Sequence, residues 1–137
     1  MKAREITAKT IELIESGDYQ FGRLNIANGD MVGHTGDLAA AIEAMEVVDE
    51  CVAKLIDAVE KAGGILLYTA DHGNADIMYT EKDGVRTPKT SHTLSPVPFA
   101  IGDPNYQGAY EHTPPGDAGQ THIAATAINL LGFEAPD

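Results

Sequence analysis

Residues 25–36 read NIANGDMVGHTG and place Asp30 and His34 four positions apart, just after the apolar run Leu24–Ala27. The Asn-Gly pair that follows this run is typical of a strand that stops at a turn. The sequence therefore predicts both polar side chains at the end of a strand. In a tight turn that opens onto a helix, a carboxylate and an imidazole at this spacing can bind the same divalent cation.

The residues around this stretch predict a strand, a helix and a second strand. A first strand is expected over Arg23–Ala27, and Asp37 is placed to cap a long helix that runs to about Ala62. The nearly continuous apolar run Ile65–Ala70 is typical of a strand buried on both faces. A unit of these lengths is expected to be right-handed, with its two strands parallel in one sheet.

A second polar cluster, TADHGNAD at Thr69–Asp76, repeats the arrangement because Asp71 and His72 follow the second strand. The carboxyl ends of parallel strands share one edge of a sheet, and ligands bind at that edge in open α/β sheets. The two Asp/His pairs are therefore expected to meet and to form a two-metal site. Mixed aspartate and histidine donors suit Mn²⁺, Zn²⁺ or Co²⁺, and carboxylate-rich variants suit Mg²⁺.

The flanking segments predict five further elements by apolar spacing and by glycine and proline signals. They are a helix at Arg4–Ser16, a hairpin of Ile77–Thr80 and Val85–Thr87, a short strand at Val97–Ile101, an irregular loop at Asp103–Gly119 and a helix at about Thr121–Leu131.

The composition predicts one globular domain over residues 1–137, with 43% apolar and 22% charged residues. A net charge of -12 argues against nucleic acid or an anionic membrane as a partner. The single cysteine, Cys51, excludes an internal disulfide and is expected to be buried as a small apolar side chain. Without an apolar signal core or a run long enough to span a bilayer, the chain is expected in the cytoplasm.

Most single aspartates in turns and histidines in loops have structural roles, and we assign His112 and His122 to that class. Ser91 and Ser95 are near His92, but proximity is the sole argument for either as a nucleophile. No phosphate-binding glycine loop and no paired CxxC motif occurs in the sequence.

Three motifs together resemble the C-terminal portion of the cofactor-independent phosphoglycerate mutases, which are metal enzymes of the alkaline phosphatase superfamily. They are NGDMVGHTG at 28–36, TADHGNAD at 69–76 and SHTLSPVPF at 91–99, and the match extends over Ile6–Phe133. The resemblance implies part of a three-layer α/β fold, with a mostly parallel sheet and helices on both faces. It also implies that the chain is the C-terminal half of the metal-binding domain.

The resemblance also implies a ligand set for two divalent ions. Asp30, His34 and His92 would bind one ion, and Asp71 and His72 the other. Mn²⁺ is the expected metal, with Mg²⁺, Co²⁺ or Zn²⁺ as alternatives.

In the intact enzymes that this chain resembles, 3-phosphoglycerate and 2-phosphoglycerate interconvert through a phosphoserine, a step of glycolysis and gluconeogenesis. The phosphorylated serine and the inserted domain that holds the substrate-binding arginines have no counterpart in these 137 residues. We therefore assign no catalytic residue here and expect the chain by itself to be inactive. Its expected partners are the missing N-terminal segment of the same domain or, through an uncovered sheet edge, a second copy of the chain.

Two alternatives remain open at this stage. The chain could derive from another enzyme of the superfamily, such as a phosphopentomutase or a metal-dependent phosphatase. It could also be a non-catalytic metal-binding subunit.

Overall fold

The structure is a computed structural model, and it describes residues 1–111, 116 and 118–135. Three helices come first in this part of the chain, four short strands follow, and a fourth helix comes last. In chain order they are α1 Ala3–Ser16, α2 Asn28–Gly33, α3 Leu38–Lys61, β1 Leu66–Thr69, β2 Tyr79–Lys82, β3 Val85–Pro88, β4 Phe99–Gly102 and α4 His122–Leu130.

The long helix α3 confirms the prediction made from apolar spacing. The Asp37 carboxylate accepts a hydrogen bond of 3.0 Å from the Ala40 backbone N–H and so satisfies one of the unpaired donors at the helix start. Gly63, with a φ of 71°, follows its last turn. The buried face of α3 consists mainly of small side chains: Ala41, Ala44, Val48, Cys51, Leu55 and Ala58.

Helix α1 packs against α3 through its own small buried residues, Ala3 and Thr7. The Arg4 guanidinium lies 2.7 Å from the Glu50 carboxylate and ties the two helices together at the surface. Cys51 is fully buried on α3, as predicted for a small apolar side chain.

The strands form two separate antiparallel pairs. β1 pairs with β4, with Leu66 opposite Gly102 and Thr69 opposite Phe99. β2 and β3 form the predicted hairpin, whose turn holds Asp83 and Gly84 at positive φ values of 52° and 74°. Two consecutive left-handed residues match the twist of a tight two-residue hairpin, which explains the Asp-Gly pair.

The predicted strand Arg23–Ala27 was wrong, because residues 21–27 form no ladder with another strand in the described part of the chain. Apolar residues make a strand only where a neighbouring strand pairs with their backbone groups. The parallel strand–helix–strand unit is therefore not formed within these residues. For the same reason Ile65–Ala70, predicted to be buried on both faces, yields a four-residue strand that is only half-buried.

A second correction concerns the stretch 28–36, which was predicted to be a turn. Residues 28–33 instead form the short helix α2, and His34 follows as its C-terminal cap. The other elements agree with the predictions to within about two residues. The loop predicted at Asp103–Gly119 is irregular where it is described, and His112 lies outside the described residues.

No helix in the described residues is both long enough and apolar enough to cross a lipid bilayer.

Candidate metal centre

Three donor atoms from distant parts of the sequence converge in one cluster. The Asp30 Oδ1 lies 3.1 Å from the His34 Nε2 and 3.0 Å from the His92 Nε2. The two Nε2 atoms are 3.1 Å apart, so the three donors form a nearly equilateral triangle. In the described residues these three side chains are the group whose geometry suits a metal ion.

Helix α2 positions two of the three donors. Residues four apart lie on the same face of a helix, so Asp30 in its first turn and His34 at its C-terminal cap point the same way. His92 comes from the loop between β3 and β4. A short helix therefore brings Asp30 and His34 together, where the sequence predicts a turn.

The hydrogen bond that His34 makes to the backbone determines which of its ring nitrogens presents a lone pair to the cluster. Its Nδ1 lies 2.6 Å from the backbone oxygen of Thr90. A carbonyl oxygen can only accept a hydrogen bond, so Nδ1 carries the proton and the Nε2 of the neutral ring is an acceptor. A partner of this kind typically orients a metal-binding histidine.

The triangle fits a bound cation. A neutral His34 directs its Nε2 lone pair at the Asp30 carboxylate, and two acceptors at about 3 Å repel each other unless a positive charge lies between them. Donors about 2.1 Å from a transition metal and at right angles to each other lie about 3.0 Å apart, close to the observed distances. Two imidazole nitrogens and one carboxylate oxygen suit Mn²⁺, Co²⁺ or Zn²⁺ better than Mg²⁺.

His72 flanks this triangle. Its ring stacks on that of His92 with 3.7 Å between centroids and 17° between planes. Its Nε2 lies 4.0 Å from the Asp30 Oδ1. An isolated antiparallel bridge between Gly73 and Thr93 explains the stacking, because it holds the residues that follow the two histidines side by side.

Asp71 is less well placed than its neighbour. Its side chain is 85% exposed, and its Oδ1 lies 3.8 Å from the His72 Nε2. The Gln120 side chain contacts its backbone carbonyl. The predicted second pair therefore lies beside the first cluster, but the described residues do not bring a third donor to it.

The metalloenzyme superfamily model matches residues 1–135. The chain belongs to the metalloenzyme superfamily.

Two similar proteins are named 2,3-bisphosphoglycerate-independent phosphoglycerate mutases. The Trypanosoma brucei brucei protein is 46% identical over 99% of this chain, and the Ricinus communis protein is 47% identical over 99%. The chain covers 26% of each, so it spans about a quarter of the length of the curated relatives it matches.

A solved structure of Leishmania mexicana phosphoglycerate mutase, described as determined at low cobalt concentration, is similar over the whole chain. It matches with a TM-score of 0.92 and 47% identity, and the chain covers 27% of it. This likeness supports the alkaline-phosphatase-like α/β fold of the superfamily.

Several residues around this candidate cluster were not predicted from the sequence. The Asn74 side chain donates a 2.9 Å hydrogen bond to the Asp30 Oδ1. This hydrogen bond is the main cause that holds the pKa of Asp30 below its usual value. Asn74 lies inside the quoted motif, but only the folded chain shows which residue it contacts.

The loop that carries His92 is held by two further side chains. The Lys89 ammonium lies 2.5 Å from the Ser91 backbone oxygen and 2.9 Å from that of His92. The Thr93 hydroxyl lies 3.1 and 3.0 Å from the two carboxylate oxygens of Asp76. The Lys89 contacts hold the backbone of His92 and of the residue before it, and the Asp76 contact holds the side chain of the residue after it. Neither contact follows a periodic sequence signal.

The remaining candidates have local roles. The Ser91 hydroxyl accepts a hydrogen bond from Lys89. The Ser95 side chain hydrogen-bonds to Asp76 and is the main cause that lowers the pKa of that carboxyl, with a contribution from the Thr93 hydroxyl. The His122 Nδ1 lies 3.2 Å from both the backbone nitrogen and the backbone oxygen of Gly119, at the start of α4.

Proposed function

We propose that this chain is the metal-binding part of a cofactor-independent phosphoglycerate mutase, which interconverts 3-phosphoglycerate and 2-phosphoglycerate through a phosphoserine. The observation that carries the proposal is the triangle of Asp30, His34 and His92 in a chain similar to such mutases over 99% of its length. In the intact protein, the chain would form the C-terminal half of a three-layer domain whose sheet is mostly parallel.

Asp30, His34 and His92 are proposed to hold one divalent ion, with Mn²⁺ as the first choice. When bound, divalent ions supply positive charge that polarises phosphoryl oxygens and lowers the pKa of an attacking hydroxyl. Asp30 contributes the negative charge of this ligand set, and the two imidazoles contribute neutral nitrogen donors. The Thr90 carbonyl keeps the His34 lone pair directed at the site.

Asp71 and His72 are proposed to hold the second ion, together with donors from the rest of the intact protein. The short distance from the His72 Nε2 to the Asp30 Oδ1 supports two neighbouring ions, because it places the second pair directly beside the first cluster. Mg²⁺, Co²⁺ and Zn²⁺ are the alternatives to Mn²⁺ at both positions.

The nucleophile of the proposed reaction is not assigned to any residue of this chain. Ser91 and Ser95 are engaged by Lys89 and Asp76 respectively, which is consistent with structural roles. Phosphoryl transfer requires a nucleophile in line with phosphorus. We therefore propose that the chain by itself does not convert 3-phosphoglycerate.

Within the enzyme, we propose that the N-terminal segment of the same domain packs against this chain. Without that segment, we propose that two copies of the chain associate. Exposed apolar side chains on α3 support this proposal. Leu38 and Ile42 are 48% and 53% exposed and line an open groove with Met45 and Ala75. Burying such a patch is favourable. We place the reaction in the cytoplasm, in glycolysis and gluconeogenesis.

A chimaera tests the proposed activity. In the Trypanosoma brucei brucei relative, the matching quarter is replaced by residues 1–137 of this chain, and conversion of 3-phosphoglycerate is measured with Mn²⁺. We expect conversion that is lost in His34→Ala and retained in the control His122→Ala, because the hydrogen bonds of the His122 ring are to Gly119 and Thr121, away from the proposed ligands. A folded chimaera without conversion, or conversion unaffected by His34→Ala, would contradict the proposal.

The substrate class is tested in parallel with pentose phosphates and simple phosphate monoesters. These assays separate a mutase of glycerates from related phosphomutases and phosphatases.

A further inference from the structure

Asn74 links the two loops that carry the candidate ligands. Asn74 lies two positions after His72 and is 5% exposed. The Nδ2 atom is 2.9 Å from the Asp30 Oδ1 and 3.2 Å from the Asp30 backbone oxygen. One amide group therefore holds both the carboxylate and the main chain of a residue on α2.

The other half of the same amide has no such partner. The Asn74 Oδ1 is buried and accepts no hydrogen bond from the described residues. It lies against Gly33, where an added Cβ would overlap with it. A buried acceptor without a partner costs free energy, so this position would be better filled by an apolar side chain if packing were its sole task.

We infer that Asn74 is a positioning residue for the metal centre: its amide directs the Asp30 carboxylate toward His34 and His92. This inference rests on the proposed metal site. The Asp30 Oδ1 that Asn74 holds is the same atom that lies 3.1 and 3.0 Å from the two imidazole nitrogens. Without the amide, the carboxylate is free to rotate toward solvent, because its side chain is about a third exposed.

Gly33 completes this arrangement. Its missing side chain lets the Asn74 amide lie against the last turn of α2, within reach of the Asp30 carboxylate at the other end of that short helix. A methyl group at this position would displace the amide without removing it. Gly33 therefore offers a second, independent way to disturb the same hydrogen bond.

The test is the affinity of the chain for Mn²⁺, measured by isothermal titration, together with the thermal melting of each variant. Asn74→Leu keeps the approximate volume and removes the donor. Loss of an outer hydrogen-bond partner typically lowers metal affinity by about 10–100-fold, and we expect a loss in this range with little change in the melting temperature. Asn105→Leu is the matched control, because the Asn105 side chain is at the surface near Gly63 and far from the ligands in sequence.

Two glycine variants repeat the test without touching Asn74. Gly33→Ala is expected to lower Mn²⁺ affinity in the same way. Gly29→Ala, in the same helix, is its control, because a Cβ there would meet the flexible end of the Met45 side chain. We expect the control to bind Mn²⁺ like the original chain.

A double-mutant cycle separates positioning from general packing. If Asn74 acts through Asp30, then Asn74→Leu costs much less affinity in an Asp30→Asn background than in the original chain. Equal losses in the two backgrounds, or an Asn74→Leu chain that binds Mn²⁺ like the original, would overturn the inference while leaving the metal centre intact. An original chain that does not bind Mn²⁺ would overturn both. Should Asn74→Leu fail to fold, Gly33→Ala and Asn74→Ala decide by the same criteria.

Discussion

The two Asp/His pairs of this chain have similar sequences and different surroundings. Asp30 and His34 lie at the two ends of one short helical segment, and His92 supplies a third donor beside them. Asp30 accepts a hydrogen bond from Asn74, and His34 donates one to the Thr90 carbonyl oxygen. Asp71 is 85% exposed, and the described residues give its pair no third donor. The difference teaches that a ligand pair becomes a site when other elements of the fold hold it, whatever its spacing.

The largest expected effect is the loss of a donor from the first cluster. His34→Ala leaves one carboxylate and one imidazole, and we expect Mn²⁺ affinity to fall by more than about 100-fold, the upper end of what loss of an outer partner costs. Isothermal titration of the purified chain measures it. His122→Ala is the control, and a smaller effect of His34→Ala than of His72→Ala would reverse the comparison.

A moderate effect is expected from the loop that holds His92. Thr93→Val keeps the shape of a buried side chain and removes the hydroxyl bound to Asp76. We expect a loss of stability of about 1 kcal/mol, the usual contribution of one hydrogen bond, and roughly tenfold weaker Mn²⁺ binding because the loop is less well fixed. Urea denaturation and titration measure the two quantities.

Thr80→Val is the matched control for this loop. Its hydroxyl contacts Thr87 across the β2–β3 hairpin. Weakened Mn²⁺ binding in both threonine variants would show that the effect is not specific to the His92 loop.

A small effect is expected at the second pair. Asp71→Asn removes the charge of an exposed carboxylate, and exposed charge interactions are weak. We therefore expect the chain to lose less than about fivefold in Mn²⁺ affinity, measured under the same conditions as for His34→Ala. A loss as large as that of His34→Ala would mean that Asp71 is a ligand of the first ion and that the two pairs form one site.

No effect on Mn²⁺ affinity is expected when the contact between helices α1 and α3 is weakened. This prediction tests whether the site and the packing of the helices are independent. The hydrogen bonds from Arg4, and then from Lys54, lower the pKa of Glu50 from 4.5 to about 2. The folded state therefore binds fewer protons than the unfolded state between these values, and the stability from this contact is lost as the pH falls from about 4.5 to about 2.

Glu50→Gln should accordingly flatten the dependence of stability on pH in that window and leave Mn²⁺ binding at neutral pH unchanged. Thermal melting between pH 2 and 5 measures the first quantity. Glu81→Gln is the control, because Glu81 pairs with Arg86 inside the hairpin and does not join two helices. An unchanged pH dependence in Glu50→Gln would remove the proposed role of the Arg4 contact.

The sequence predicts those parts of the fold whose cause is local. Helix α3 follows from apolar spacing and the Asp37 cap, and the hairpin follows from an Asp-Gly pair that tolerates positive φ. The strand at 23–27 was wrong because pairing, which depends on a distant partner, decides whether an extended run becomes a strand. Helix α2 was missed because Asn, Gly and Asp are typical of turns and poor helix formers.

In the candidate site, too, the sequence predicts only what has a local cause. Asp30 and His34 are found by spacing, whereas His92 is 58 residues from His34 and was found only through the resemblance. Asn74 and Thr93 carry no signal of their own, since hydrogen bonds between distant loops leave no period in a sequence. The mostly parallel sheet and the two-ion ligand set stay predictions.

The buried thiol of Cys51 makes the chain its own reporter of opening. It is the single cysteine in the sequence and is fully inaccessible on the packed face of α3. A thiol reagent can therefore react only in molecules whose helix packing has transiently opened, and the labelling rate counts these molecules. Because a ligand that binds only the closed form slows such opening by mass action, comparing labelling with and without Mn²⁺ reveals whether the two helices and the histidine cluster open as one cooperative unit.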